Sequence, residues 1–224
     1  MNDGTFRRYT LTEHMRLRAS SGADTTHREW LLGLGDGTLP FEAALHPYAT
    51  PLPPHLCMPD GISLKDFLAW VYPDVRARAT ACFHGNDDVA NDAWFRERSI
   101  LTPLNALAAQ LNEKLLELLD PATATTAISI DTIADAQGDD GVNFPTEFLN
   151  SLSPSGLPPH KLQLRLGAIV IILRNLDKER GICNGCRCIV LEISPCRLDV
   201  RVLTGRAKGQ RLLLPRIPFR SSTG

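Results

Sequence analysis

Short strand patterns follow one another through the last third of the 224-residue chain and restrict its fold more than any other feature. Five stretches have the alternating or continuous apolar character of β-strands: 162–166, 168–173, 186–193, 197–203 and 210–214. Turn residues separate them. Because closing a sheet removes its exposed edges, strands this short favour a small curled sheet or barrel.

Charge is distributed unevenly along the chain. Residues 150–224 carry 13 Lys and Arg against four Asp and Glu, a net charge of +9, whereas residues 1–149 carry a net charge of −10. A basic segment joined to an acidic one favours a surface that faces a polyanion. A solvated basic surface without a ligand explains the same charge equally well.

The composition, 43% hydrophobic and 22% charged, is that of an ordinary globular protein. The longest apolar run, residues 168–173, is far too short to span a bilayer. Residues 1–8 have a basic pair but no apolar stretch behind it. We therefore expect no membrane segment, no secretory signal and cysteines that are thiols.

Helices are predicted at residues 28–32, 63–71 and 104–119. The first is expected to stop at the glycine-rich stretch 33–37, and the second to begin at the capping residue Ser63 and stop before Pro73. Residues 77–92 are polar and predict a loop. The third helix has leucines along one face, and a short strand is predicted directly before it at residues 98–103. A strand followed by an amphipathic helix is the unit of α/β sheets, which predicts an α/β fold class.

Catalytic motifs are absent from the sequence. It contains no G-x-x-x-x-G-K-[ST] phosphate loop, no G-x-S-x-G and no H-E-x-x-H, and the glycines at 33, 35 and 37 lack the Lys and Ser/Thr that hold phosphate. The six histidines are scattered singly, which favours surface or packing roles over catalysis.

Three cysteines lie close together in the sequence, at 183, 186 and 188. A structural zinc site needs four ligands, and no second C-x-x-C is present. On a strand, Cys186 and Cys188 point to one face, as apolar residues would. The pattern favours buried thiols over zinc, so we predict no metal.

Two turn-rich segments, residues 174–177 and 181–185, flank the basic residues Lys178 and Arg180. Asn184 followed by Gly185 is a strong hairpin signal. Tight turns of this kind also present backbone N–H groups and arginines outward, as contacts with a phosphate backbone require. The two interpretations are compatible.

Longer motifs cover nearly the whole chain. They are residues 11–16 (LTEHMR), 30–37 (WLLGLGDG), 101–105 (LTPLN), 144–167, 173–177 (LRNLD), 183–185 (CNG) and 203–217. In this order they resemble the Pif-type (petite integration frequency) ATP-dependent DNA helicases, in particular the group related to Helitron transposon helicases. His14 stands where the family usually has Asn, and Cys186 where Thr is commoner.

The resemblance implies a division of the chain into domains. Residues 1–119 would be a partial second RecA-like motor domain with an irregular insertion, and residues 120–143 an acidic linker. Residues 144–217 would form a 2B-like, SH3-like β subdomain, followed by a tail at 218–224.

The resemblance also implies site residues. Arg16 matches the arginine that reaches the γ-phosphate of ATP bound to the first motor domain and stabilises charge in phosphoryl transfer. The residues implied to contact DNA are Arg174, Asn175, Lys178, Arg180, Asn184 and Arg187.

Complete helicases of this family use ATP and Mg²⁺. Their phosphate loop, magnesium motif and glutamine-bearing motif precede the position of Leu11, two further motifs follow that of Ile217, and this sequence contains none of them. We expect a truncated or decayed helicase copy that binds neither cofactor alone, shows no ATPase or unwinding activity, and would need the missing helicase half on another chain.

The leading hypothesis is a helicase portion that contacts single-stranded DNA. Because residues 149–217 contain no Phe, Tyr or Trp, basic residues rather than base stacking would dominate this contact. The family acts in DNA repair, recombination and telomere maintenance, which implies an intracellular protein in the nucleus, with the mitochondrion as the other compartment. The alternative is a non-catalytic protein-binding adaptor of helicase ancestry.

Overall fold

The computed structural model describes residues 22–40, 49–84, 89–133, 144–152, 154 and 157–220. The chain divides into two compact units, Met1–Ile62 and Ser63–Gly224. Within the described ranges, no helix combines the length and the apolar character needed to cross a bilayer.

In its described residues, 22–40 and 49–62, the first unit contains a long helix, α1 (Gly22–Asp36), followed by a 3-10 turn at Pro54–Leu56. This helix ends inside the glycine-rich stretch 33–37, as predicted, but it begins at Gly22 and not at the predicted residue 28. Gly37 adopts a φ of 67°, and the N–H of Thr38 donates to the carbonyl of Gly33 at 2.9 Å. The last of the three glycines therefore supplies the left-handed residue that ends the helix.

The second unit begins with α2 (Leu64–Val71), as the sequence predicts. Ser63 caps this helix, since its side chain accepts a hydrogen bond from the N–H of Asp66 at 3.1 Å and donates to the Asp66 carboxylate at 2.6 Å. Leu68 is buried on the inner face of the helix. The predicted cap and helix are confirmed.

The loop predicted at residues 77–92 is wrong. Two helices, α3 (Val75–His84) and α4 (Val89–Arg96), cover most of it. Their buried faces consist of small or aromatic side chains interrupted by polar residues, a pattern that shows little helical periodicity in the sequence. The buried members are Ala79, Cys82, Asn91, Asp92, Trp94 and Phe95.

The helix α5 (Asn105–Leu118) confirms the third predicted helix. The strand predicted before it is wrong, because residues 99–104 lie in neither a strand nor a helix. Leu111 is buried and Leu115 packs against the core, whereas Leu104 is 63% exposed. Only the C-terminal part of the leucine face therefore lies against the unit described here.

In the part of the chain that the structure describes, six strands form two antiparallel sheets. The first sheet pairs β1 (Thr125–Ile128) with β2 (Lys161–Leu164), and a short helix, α6 (Thr146–Ser151), lies in the proline-rich stretch between them. The second sheet is a meander of four strands in chain order. Its strands are β3 (Ile169–Ile171), β4 (Arg187–Ser194), β5 (Arg197–Val202) and β6 (Arg211–Pro215). The predicted succession of short strands is confirmed.

One hydrophobic core joins the helices to the meander. Cys188, Val190, Val200 and Val202 are fully buried, and they belong to the same cluster as Phe95. Gly167 lies so close to α3 that a Cβ atom added to it would be only 3.1 Å from the Cα of Ala79. The predicted domain boundary near residue 119 falls inside this unit.

A buried ion pair ties α4 to β5. The Arg201 guanidinium donates two hydrogen bonds of 2.7 Å to the Asp92 carboxylate, and the two side chains are 4% and 11% exposed. Fixing both oxygens with the fork of one guanidinium compensates the desolvation of the two charges. The fold is thus a mixture of helices and antiparallel sheets, and the predicted α/β class is confirmed at that level.

Candidate nucleic-acid interface

The segment that carries most of the predicted DNA contacts connects β3 to β4, and we call residues 174–185 the first loop. Asp177 and Ile182 pair through two backbone hydrogen bonds of 2.7 and 3.0 Å, and Ile182 is 1% exposed. This buried anchor holds the tip of the loop, residues 178–181, outside the sheet. The loop is therefore a fixed projection built on β-structure.

Lys178, Arg180 and Asn184 are exposed on the first loop, as the DNA-binding prediction requires. Asn184 and Gly185 form a tight turn with Gly185 at a φ of 85°, which is closed by the N–H of Cys186 donating to the Cys183 carbonyl at 3.1 Å. The predicted turn is confirmed.

Acidic residues partly neutralise the first loop. The backbone N–H of Arg180 donates to the Asp177 carboxylate at 3.0 Å, and the Arg180 Nε lies 4.0 Å from the same carboxylate. Glu179 is exposed beside it. Three basic residues and two acidic ones leave the loop with a net charge of +1.

Arg174 and Asn175 are held by contacts within the chain. The Arg174 guanidinium donates to the carbonyl of Arg220 at 2.6 Å and lies 4.5 Å from the centroid of the Phe219 ring. The Asn175 side-chain oxygen accepts from the N–H of Asn184 at 3.0 Å. Asn175 thus braces the turn at the far end of the same loop.

Arg187 points toward α4. Its guanidinium donates to the carbonyls of Phe95, Arg96 and Arg98 at 3.0, 3.2 and 2.9 Å. These acceptors include carbonyls at the end of α4, where a cation is favoured by the helix dipole. The described contacts of Arg187 are therefore internal.

The basic residues of the C-terminal third fall into two groups, those held by contacts within the chain and those left exposed. Several of its arginines donate side-chain hydrogen bonds to backbone carbonyls or to a buried carboxylate: Arg165, Arg174, Arg187, Arg201, Arg211 and Arg216. The net charge of +9 for residues 150–224 therefore overstates the positive charge that is available to a ligand.

Arg16, the predicted γ-phosphate arginine, lies outside the described residues.

A second exposed basic segment was missed by reasoning from the sequence. Arg206 and Lys208 are exposed in the connection between β5 and β6, and we call residues 204–210 the second loop. The signal was present, because this stretch contains two basic residues, two glycines and no acidic residue.

Two of the three clustered cysteines, Cys186 and Cys188, are buried as predicted, whereas Cys183 is half-buried. Cys186 is 8% exposed and Cys188 is fully buried. Burial, together with a smaller effect of the neighbouring Cys186, raises the pKa of the Cys188 thiol from 9.0 to about 12. The folded chain therefore disfavours the thiolate that reacts with electrophiles.

This burial predicts selective thiol reactivity. At pH 8 an aromatic disulfide reagent should modify the exposed Cys57 and Cys196 quickly, and Cys188 only after denaturation. Mass spectrometry of the modified peptides measures the order in which the thiols react. Equal rates for Cys188 and Cys196 in the folded chain would contradict the buried assignment.

The raised pKa of Cys188 also makes stability depend on pH. Its contribution to the free energy of unfolding is complete below pH 9 and is lost between pH 9 and 12.

With this geometry in place, the chain can be compared with known proteins. Residues 147–193 match the family model described as the 2B domain of the DNA helicase Pif1. The match spans β2, β3, most of β4 and the whole first loop, and ends before the second loop. No curated protein matches the chain.

The matched class is therefore a 2B domain of the kind found in the DNA helicase Pif1, and in this chain it comprises residues 147–193. This match supports membership of the Pif1-type helicase family, in agreement with the resemblance recognised in the sequence. The family implies DNA as the substrate that is bound.

ATP and Mg²⁺ are the cofactors that such helicases imply. The sequence has no phosphate loop, and within the described ranges no three His, Cys, Asp or Glu side chains lie close enough together to hold a metal ion.

Proposed function

We propose that the chain is the DNA-gripping portion of an ATP-dependent helicase of the Helitron-related Pif1 group. In this proposal the first loop holds the sugar-phosphate backbone of single-stranded DNA while motor domains translocate. Residues 1–119 would belong to a RecA-like motor, and the meander would be its SH3-like 2B subdomain. The nucleus, with roles in repair, recombination and telomere maintenance, is the setting that the family suggests.

The observation that carries this proposal is the position of the first loop. It lies wholly within the residues that match the Pif1 2B domain, and it projects Lys178 and Arg180 from a buried anchor. Cations that are fixed in space and open to solvent bind phosphates without the entropic cost of ordering a mobile segment.

The chemistry of the contact should be electrostatic. Neither loop segment, 174–185 or 204–210, contains an aromatic side chain, and the Phe219 ring beside the first loop already lies against the Arg174 guanidinium. Phosphate contacts rather than base stacking should therefore dominate. Binding that depends on phosphates alone releases counterions and weakens steeply as salt rises.

Nucleotide chemistry would come from elsewhere. Because the chain has no phosphate loop, we propose that it neither binds nor hydrolyses ATP by itself. Arg16 would act only toward a nucleotide held by another motor domain, on a longer chain or on a partner.

Charge removal on the first loop tests the DNA contact. The double variant Lys178→Ala/Arg180→Ala should bind a labelled single-stranded oligonucleotide more weakly than the wild type. Since each phosphate contact contributes about 0.7 to the slope of log K against log salt, the slope should fall by about 1.4. Fluorescence anisotropy across a salt series measures both quantities.

A variant with the same loss of charge provides the control. Lys161→Ala/Arg197→Ala removes two exposed cations outside the first and second loops, and Arg197 lies at the end of β5 that is remote from the second loop. Its slope should match that of the wild type. Absence of salt-dependent binding by the wild type would instead favour the protein-binding adaptor.

A further inference from the structure

The second loop is as firmly held as the first. Gly205 and Gly209 adopt φ values of 79° and 84°, and the N–H of Gly209 donates to the Val202 carbonyl at 2.7 Å. Ala207, between the two basic residues, is fully buried. Arg206 and Lys208 therefore stand on either side of a buried anchor, and both are exposed.

The two loops touch each other. A side chain added at Gly181 would place its Cβ 2.8 Å from the Cβ of Arg206, so the backbone of the first loop packs against this arginine. The Arg180 guanidinium donates to the Gln210 side chain at 3.4 Å. The exposed cations of both loops consequently lie on one continuous surface.

The charge balance favours the second loop as the stronger phosphate site. The first loop carries Asp177 and Glu179 beside its three cations, whereas the second loop carries two cations and no acid. The second loop itself contains no carboxylate that would repel a phosphate. Asp199 lies on β5, the neighbour of β6, and its carboxylate pairs with the Arg211 guanidinium.

We propose that the second loop is a phosphate-binding element, and that Arg206 and Lys208 extend the DNA-contacting surface of the first loop. This inference rests on the proposed function, because it takes DNA as the ligand. It adds residues that lie beyond the 2B-domain match, which ends at residue 193. With no aromatic side chain in either loop, the surface binds the sugar-phosphate backbone without regard to base composition.

Binding by the full chain tests this inference. Arg206→Ala/Lys208→Ala is compared with wild type, with Lys178→Ala/Arg180→Ala and with the control Lys161→Ala/Arg197→Ala, on an oligo-dT strand and on a mixed-sequence strand of equal length. The second-loop variant should lower the salt slope by about 1.4 on both strands. On a duplex the loss should be about 1.8.

The outcomes separate the two proposals. If the wild type shows no salt-dependent binding, the proposed function fails and the inference with it. If the first-loop variant weakens binding while the second-loop variant behaves like the control, the inference is overturned and the proposed function stands. A loss confined to one base composition would also overturn it.

A measurement on the unmodified sequence gives an independent test. Acetylation of lysines in the folded chain, read by mass spectrometry, should be slowed by DNA at Lys208 and Lys178 and unchanged at Lys161, all of which are exposed. Protection of Lys178 without protection of Lys208 would overturn the inference.

Discussion

A fragment that contains residues 120–224 alone is expected to lose cooperative unfolding, whereas residues 63–224 are expected to retain it. The reason is the shared core. Trp94 and Phe95 of α4 are buried in the same cluster as Val190 and Val200 of the meander. Cutting between α5 and β1 would expose this apolar surface, at about 25 cal/mol for each Å² returned to water.

The same cut would strip partners from two buried or half-buried arginines. Arg201 would lose the Asp92 carboxylate, and Arg187 would lose three carbonyls, two in the last turn of α4 and one just after it. A buried charge without its partner is strongly destabilising. Urea denaturation followed by circular dichroism should show a sigmoidal transition for 63–224 and a shallow, non-cooperative change for 120–224.

The full chain serves as the reference for this comparison. A cooperative transition in the short fragment, with a midpoint close to that of the full chain, would show that the strands form an independent domain. The domain boundary predicted from the family resemblance would then be supported.

The substitution Asp92→Asn is expected to lower the free energy of unfolding by about 3 kcal/mol. Removing one partner of a buried ion pair typically costs about 3–5 kcal/mol, because the remaining charge stays desolvated. The asparagine keeps the size of the side chain and can accept one hydrogen bond from Arg201, which places the expected cost at the low end. Chemical denaturation at neutral pH measures it.

An exposed ion pair supplies the matched control. Lys114 and Glu117 lie 2.9 Å apart with side chains that are 55% and 59% exposed. Glu117→Gln removes a carboxylate in the same way and should cost less than about 0.5 kcal/mol. A loss below about 1 kcal/mol for Asp92→Asn would contradict the importance assigned to the buried pair.

A double variant distinguishes the charge from the packing. Adding Arg201→Met to Asp92→Asn removes the desolvated cation and should restore part of the lost stability, since both members of the pair are then neutral. Additive losses would mean that the side chains act through packing rather than through their charges.

Sequence patterns succeeded where structure is local. Strands β4 to β6 alternate or run apolar over short stretches bounded by Gly and Pro, and Ser63 begins α2 with a cap that depends only on the following three residues. Leucine periodicity was enough to predict α5, although it could not show that Leu104 would remain exposed.

The failures share a physical cause. Helix α4 contains two polar residues on its buried face, Asn91 and Asp92. They are tolerated because Arg78 of α3 and Arg201, far along the chain, hydrogen-bond to them. No local pattern reveals such a partner. The segment 99–104 has strand-forming residues, but a strand needs a neighbour, and the described structure gives it none.

The amino-acid sequence by itself determined the succession of short strands, the turns that join them and the resemblance to the family whose 2B domain matches residues 147–193, since these depend on nearby residues and on motif order. Tertiary structure decided which cations can meet a ligand. Of the predicted DNA contacts, Lys178, Arg180 and Asn184 are exposed while Arg187 binds carbonyls around the end of α4, and the exposed Arg206 and Lys208 join the same surface. The cause is long-range packing, which holds the Arg187 guanidinium against carbonyls of the same chain and leaves Arg206 exposed.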